Sequence, residues 1–333
     1  MSIDINFFNI KEIKTNIKNI NNNIIKNIFS KLYVERNHNL NNTIIVAGTG
    51  RSGTTWLAQI LEKYLRYRFI FEPFHPLQVK EFNKHEYKKY LRPEDNNPEL
   101  HSVINKILTG RIRNKWMDHL NRSFMPKGRI VKTIRANYFL KWIKNNFPEV
   151  PIIYILRHPC AVVNSWVKLG WGTVDWKSLL SQELLLFDFF EPYLNVFNKA
   201  DTSIKKIACI WCAEQLVPLN TMYYKDWIVI TYEDLCQNAK NEIENIFKYI
   251  KVDKKINILN AKRIIPTTVR QESAILKKKD PLKAWQWELS RNEIEQILEI
   301  VENFSLDIIY DSSIIPYKNN LEKILKYGLK SCN

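Results

Sequence analysis

The sequence predicts an α/β fold in which a central parallel sheet carries helices on both faces. Three observations predict it. Short runs that are apolar on consecutive positions alternate with segments of helical period, the pattern of strands buried on both sides. The first such run leads into a glycine-rich turn and then a helix, a layout that aims backbone N–H groups at a phosphate. The chain has 333 residues, 45% of them apolar, enough for one large core or two medium ones.

Taken in order, residues 1–42 are rich in Asn, Lys and Ile and read as an N-terminal extension, one amphipathic helix and a polar linker. Strands are expected at 43–47, 69–71, 129–133, 152–156 and 227–231, each a short run rich in Ile, Val or Phe. Helices are expected at 54–66, 136–147, 160–169, 203–224 and 236–250. In the first of these, Leu57, Ile60, Leu61, Tyr64 and Leu65 recur at helical spacing. Residues 73–128 hold Pro73, Pro76, Pro93, Pro98 and Pro126 among many charges. They read as an inserted region of helices and loops over the site, a natural place for a pocket or lid. The main domain is expected to span 43–312. Its last part begins basic and Thr-rich at 262 and turns helical from Asn292 to Phe304, and 313–333 form a C-terminal helix and tail. There is no internal repeat.

The net charge of +16 favours capture of anions: nucleic acid, an anionic lipid surface, a nucleotide or an acidic sugar. A composition simply rich in Lys, Asn and Ile accounts for the excess equally well. The five cysteines are odd in number and form no framework, which points to a reducing compartment. Cys209 and Cys212 have CxxC spacing but sit in an apolar helical segment and read as core. The six histidines show no zinc spacing. No apolar run reaches the roughly 18 residues of a bilayer span, and the first residues lack a signal pattern. The expected location is therefore the cytoplasm, without a transmembrane segment.

Two motifs carry chemistry. The first is Gly48-Thr49-Gly50-Arg51-Ser52-Gly53-Thr54-Thr55-Trp56. Three of the chain's eight glycines fall here within six residues, as expected where backbone approaches a ligand. From Gly48 to Thr55 the spacing matches the triphosphate-binding loop except that Thr54 stands where that loop needs Lys. The site is expected to hold a phosphate without ordinary triphosphate chemistry. The second motif is the run Ile152–Leu156 followed by Arg157, His158 and Pro159, then a helix carrying Ser165. Pro159 suits the first helical position. Arg157 falls at the carboxyl end of a strand, where open α/β sheets bind ligands. An Arg and a Ser hydroxyl aimed at one spot would suit a second phosphate.

Together these motifs resemble the sulfotransferases that use 3′-phosphoadenosine-5′-phosphosulfate (PAPS), closer to the carbohydrate and tyrosine types than to the cytosolic small-molecule type. Arg51-Ser52-Gly53-Thr54-Thr55-Trp56 is similar to that family's loop for the 5′-phosphosulfate. Arg157 and Ser165, eight residues apart, are similar to its pair for the 3′-phosphate. Tyr232-Glu233-Asp234-Leu235 and the Trp285–Ser290 stretch are weaker matches, and the likeness runs in order over about 43–304. It implies a three-layer fold of the phosphate-loop type, a sulfuryl donor and no metal. Arg51 would then neutralise the 5′-phosphate and bridging oxygen as the bond to sulfur breaks. Thr54 and Thr55 would bond the same phosphate, and Tyr232 would line the adenine pocket. Trp56 would stack on adenine or serve as core.

An attacking hydroxyl needs a general base, and the resemblance implies Glu72, in Phe71-Glu72-Pro73-Phe74-His75, with His75 as second choice. A purely structural Glu72 would cap a turn or pair with Arg51. Lys132 would steady the leaving group or be a solvated lysine. The run Lys277-Lys278-Lys279 would close over the 3′-phosphate or be a plain charge run. The implied partners are the nucleotide donor and a hydroxyl acceptor. A carbohydrate acceptor is expected, with an anionic glycan favoured by charge, and no nucleic acid. Trp166, Trp171 and Trp176 would stack on sugars or pack the core. The alternatives are a phosphate-loop kinase acting on a small molecule and a basic nucleotide- or nucleic-acid-binding protein without catalysis.

Overall fold

The computed structural model describes residues 33–171, 177–222, 226–252 and 280–329. Most of the N-terminal extension, Trp176 and the Lys277-Lys278-Lys279 run lie outside the described residues. Five strands, β1 (Thr43–Gly48), β2 (Arg68–Phe71), β3 (Arg129–Thr133), β4 (Ile152–Leu156) and β5 (Ile228–Thr231), form one sheet in the order β2-β3-β1-β4-β5. Every pairing is parallel. All five lie within a residue of the expected runs.

Parallel strands need crossovers, and the helices supply them on both faces. The longer ones are α1 (Thr54–Leu65), α2 (Pro98–Leu108), α3 (Leu140–Asn146), α4 (Pro159–Val167), α5 (Ser203–Thr221), α6 (Tyr232–Gln237), α7 (Ala239–Tyr249), α8 (Arg291–Asn303) and α9 (Lys318–Tyr327). The period-2 alternation of the strands separates two cores. Ile44, Val46, Phe69, Ile130, Ile153 and Ile155 face α1 and α7 through Leu57, Ile60, Leu61, Ile243 and Ile246. Ile45, Ala47, Ile70, Val131, Ile152 and Tyr154 face the opposite core, with Ile104, Trp142, Val162, Trp211 and Ile297. Cys209 and Cys212 are buried in that second core as free thiols.

Some helix boundaries differ from expectation. The helix expected over 136–147 opens as a 3₁₀ turn, Asn137–Phe139, before α3. The one expected over 236–250 is two. Thr231 accepts from the Asp234 N–H and starts α6 early, and Asn238 then leaves helical geometry at φ −126° and ψ 44°. The one expected to reach 224 ends at Thr221, with Pro218 in its last turn; proline supplies no N–H to continue the ladder.

The insertion between β2 and β3 is less a lid than part of the fold. Phe74, Val79, Phe82, Leu100, Ile104, Ile107 and Met117 are all buried in the second core. The expected linker is anchored too. Tyr33 is buried beneath the Arg68 and Arg113 guanidiniums, 4.5 and 4.3 Å from its ring centroid. The Glu35 carboxylate joins Arg68 at 2.7 Å and Arg129 at 2.8 Å, clamping the first residues of β2 and β3.

His158 caps α4 by accepting from the Cys160 N–H at 3.2 Å, and its other nitrogen meets the Asp311 carbonyl at 2.9 Å. Trp285 stacks on its ring at 4.4 Å. Burial pushes the His158 pKa down from 6.5 to about 4. Above pH 6.5 the ring is neutral folded or unfolded and contributes nothing to pH dependence. Between 6.5 and 4 only the unfolded chain gains the proton, so stability falls with pH, in total by about 3 kcal/mol. Urea midpoints at pH 7.5, 6 and 4.5 are expected to show this fall in wild type. His158→Asn, which keeps a cap acceptor, should flatten it; equal slopes in the two proteins would refute the assignment.

Candidate active site

The strand order reverses at β1, with β3 on one side and β4 on the other, and a crevice opens at the carboxyl ends there. Residues following all five strands meet in it: Gly50, Arg51, Gly53, Thr54 and Thr55 after β1, Glu72 after β2, Ile134 and Arg135 after β3, Arg157 after β4 and Tyr232 after β5. The cavity is about 310 Å³, and Trp56, Phe71, Lys132, Trp116 and Trp171 complete its main walls. A larger cavity, about 1190 Å³, opens by Pro151, Trp227 and Ile228 at the amino ends of β4 and β5. It touches none of the strand-end residues, so the smaller one is the candidate site.

The loop is held from beneath. Ser52 Oγ donates to the Thr49 carbonyl at 2.6 Å, so this hydroxyl faces the loop's own backbone. Gln215 Nε2 donates to Thr49 Oγ1 at 2.5 Å, and Trp166 Nε1 to the Gly50 carbonyl at 2.9 Å. Trp166 is therefore structural, while Trp171 stands edge-on to it at 5.5 Å and reaches the cavity. The glycines answer first to packing. A Cβ at Gly48 would lie 2.5 Å from the Ile155 carbonyl oxygen. Gly53 has φ +99°, and a Cβ there would meet the Tyr232 ring at 2.6 Å. Gly53 precedes α1, whose N-terminus carries no side-chain cap, and Gly53, Thr54 and Thr55 line the cavity.

The two groups that the motifs assign to opposite ends of a donor lie side by side. Arg51 Nε donates to Ser165 Oγ at 2.9 Å, and Arg157 Nη1 donates to the Arg51 carbonyl at 2.8 Å. The Arg157 guanidinium lies 4.0 Å from the Tyr232 ring centroid, and Trp56 meets that ring edge-on at 5.7 Å. Trp56 is thus both core and cavity wall. Glu233 and Asp234 turn away: Glu233 accepts from the His158 N–H and Tyr310 hydroxyl, at 3.0 and 2.9 Å, and Asp234 accepts from Thr231 Oγ1.

Across the cavity, Glu72 is buried and doubly paired. Its Oε1 accepts from Lys132 Nζ. Its Oε2 accepts from Arg135 Nη1 at 2.6 Å and from the Ile134 N–H at 3.3 Å. Burial pushes the Glu72 pKa up, but Lys132, Arg135 and these hydrogen bonds outweigh it and hold the carboxyl below its ordinary value. Glu72 therefore pairs with Lys132 and Arg135 rather than with Arg51, and Lys132 is buried rather than solvated. The strand register explains this, because Phe71 lies beside Lys132. His75 stands behind this group, against Trp116 at 5.5 Å, outside the cavity lining. Burial, then Arg135, lower its pKa. Arg51 and Glu72 both hold left-handed backbone, φ 71° and 45°, strain that non-glycine residues keep where surroundings impose it. Arg135 and Trp116 belong to no sequence motif and escaped the sequence reading.

A family model described as "Sulfotransferase family" matches residues 43–255. The chain belongs to the sulfotransferase family, and it is a sulfotransferase enzyme. The chain is similar to the sulfotransferase domain of the Synechococcus PCC 7002 olefin synthase, at 18% identity over 85% of this chain and 100% of that one, TM-score 0.43. It is similar to mouse sulfotransferase SULT7A1 complexed with PAP, at 15% identity over 90% and 93% of the two chains, TM-score 0.42. For sulfotransferase STF9 from Mycobacterium avium the values are 12%, 80%, 76% and 0.41. No curated protein sequence matches. No described helix is long and apolar enough to cross a membrane.

Proposed function

We propose that this enzyme transfers the sulfuryl group of PAPS directly to a hydroxyl of a carbohydrate. The observation that carries this reading is that Arg51 and Arg157 stand on one side of a single cavity and the Glu72–Lys132 pair on the other, with Ser165 outside the cavity lining but hydrogen-bonded to Arg51. Arg157 and Ser165 bind the 3′-phosphate in this reading, and a buried Arg157 Nε without a hydrogen-bond partner fits that role. The α1 N-terminus, Thr54, Thr55 and Arg51 bind the 5′-phosphate, with Ser52 and Gly53 shaping the loop. Trp56 and Tyr232 line the adenine end. Glu72 takes the proton of the acceptor hydroxyl as its oxygen attacks sulfur. Arg51 and Lys132 stabilise the charge that develops on the departing phosphate oxygen. His75 backs Glu72 without replacing it. Trp116 and Trp171 offer aromatic faces to a sugar ring. No metal ion is needed in this scheme.

Calorimetry with 3′,5′-ADP, the desulfated product, tests the donor assignment. Wild type is expected to bind it, and Arg157→Ala to bind it at least tenfold more weakly, as loss of a charge-assisted contact worth about 1.5–3 kcal/mol requires. No binding by wild type, or equal binding by both proteins, would sink the reading.

A further inference from the structure

The cavity wall holds four cations, Arg51, Lys132, Arg135 and Arg157, and one carboxylate, Glu72. Two of the cations share that carboxylate. They are not equivalent. Lys132 belongs to β3, is almost wholly buried, and lies 4.9 Å from the Phe71 ring centroid. Arg135 lies beyond the strand end, with its side chain 12% exposed and its guanidinium 5.2 Å from the half-exposed Tyr87 ring. Its buried Nε has no hydrogen-bond partner. One cation suffices to neutralise Glu72, so Arg135 is a surplus charge at the cavity wall with donor capacity unspent. While it stays on Oε2, it also occupies the oxygen that a base would use.

We propose that Arg135 binds an anionic group of the acceptor and thereby releases Glu72 Oε2 to act as base, so the preferred acceptors are alcohols carrying a carboxylate, sulfate or phosphate near the reacting hydroxyl. This rests on the sulfuryl-transfer reading above and deepens it by naming the acceptor class. The step balances. The hydroxyl proton passes to Glu72 Oε2, the acceptor oxygen forms the new bond to sulfur, and the bond from sulfur to the bridging phosphate oxygen breaks. Its electron pair leaves on 3′,5′-ADP. A neutral alcohol leaves Arg135 on Glu72 and the base masked. Among the described residues, the charged or titratable groups around Glu72 and Arg135 are Lys132 on β3, His75 after β2, Tyr87 against Arg135 and His75 and, through Lys132, Arg51 of the loop.

The test compares an unsulfated glucuronic-acid-containing hexasaccharide with its carboxyl methyl ester, on wild type and Arg135→Gln. In wild type, kcat/KM for labelled sulfate transfer is expected to favour the acid by about tenfold or more. In Arg135→Gln the preference should vanish through a gain on the ester as well as a loss on the acid. The acid limb of its pH profile should move to higher pH, because Glu72 loses a neighbour that lowers its pKa. Calorimetry of the same two probes on enzyme loaded with 3′,5′-ADP gives a readout without turnover. The acid should bind about tenfold tighter in wild type and equally to the ester in the variant. Equal or absent binding of both forms by wild type overturns the proposal, as does an equal loss on both acceptors in the variant. Arg135→Gln should keep its affinity for 3′,5′-ADP. Failure of wild type to bind that nucleotide would instead overturn the donor reading.

Discussion

Glu72→Gln is expected to lower kcat by about 10²–10⁴-fold, the range for loss of a general base, while affinity for 3′,5′-ADP stays near that of wild type. The two halves of this expectation follow from the two sides of the cavity. In the proposed reading the donor side comprises the 49–55 loop, Arg157, Ser165 and Tyr232, tied together by the bonds from Arg51 to Ser165 and from Arg157 to the Arg51 carbonyl rather than through Glu72. The carboxylate belongs to the other side, where it also balances Lys132 and Arg135. Removing one partner of a buried pair leaves a charge uncompensated, so the variant should be less stable as well, by about 3–5 kcal/mol at the extreme. Nucleotide affinity therefore serves as the control for folding. Full activity in Glu72→Gln would refute the base assignment. Combined loss of turnover and nucleotide binding would mean that Glu72 acts by holding the site together.

Glu35→Ala is expected to be the most destabilising single change outside the site, by about 3–5 kcal/mol. Glu35 and Asp118 are the two carboxylates paired with the guanidiniums of Arg68 and Arg129, and both of those side chains are fully buried. Without Glu35, one carboxylate faces two buried cations. The backbone carbonyls that remain, Gly110 and Ile112 for Arg68 and Asn37 and Asn39 for Arg129, bring only partial charge. The urea midpoint should fall sharply in Glu35→Ala and less in Glu35→Gln, which keeps an acceptor. A midpoint unchanged in both would show that this clamp contributes nothing.

The strands were legible because β1 and β4, flanked on both sides, are apolar at successive positions, and helices must cover both faces of such a sheet. The loop side of the candidate site was legible for a related reason. A phosphate loop is local: strand, loop and helix N-terminus are contiguous, so spacing alone states their geometry. Arg157 could be read likewise from its place at a strand end. The glycines were legible as constrained but not by what. Gly48 yields to the β4 backbone and Gly53 to Tyr232 and a left-handed φ, and both neighbours are remote in sequence.

On the other side, Glu72 and Lys132 were named from the resemblance, but their pairing and the part of Arg135 were not legible. Glu72, Lys132 and Arg135 form one charged group because β2 pairs with β3 in the register that sets Phe71 beside Lys132. No local pattern announces that register across an insertion of more than fifty residues. Arg135 lies in a turn with no motif, and Trp116 on a four-residue helix of the insertion. Glu35 looked like linker because its partners are the first residues of β2 and β3.

By itself, then, the sequence determined the α/β layering, the strand-loop-helix around Gly48–Thr55 and the place of Arg157 at a strand end, since each depends on residues near one another along the chain. Only the tertiary structure decided that the two motifs adjoin through Arg51, that Glu72 is clamped by two cations, and that Arg135 faces the cavity. These are contacts between strand ends, and strand order and register, rather than local propensity, bring strand ends together.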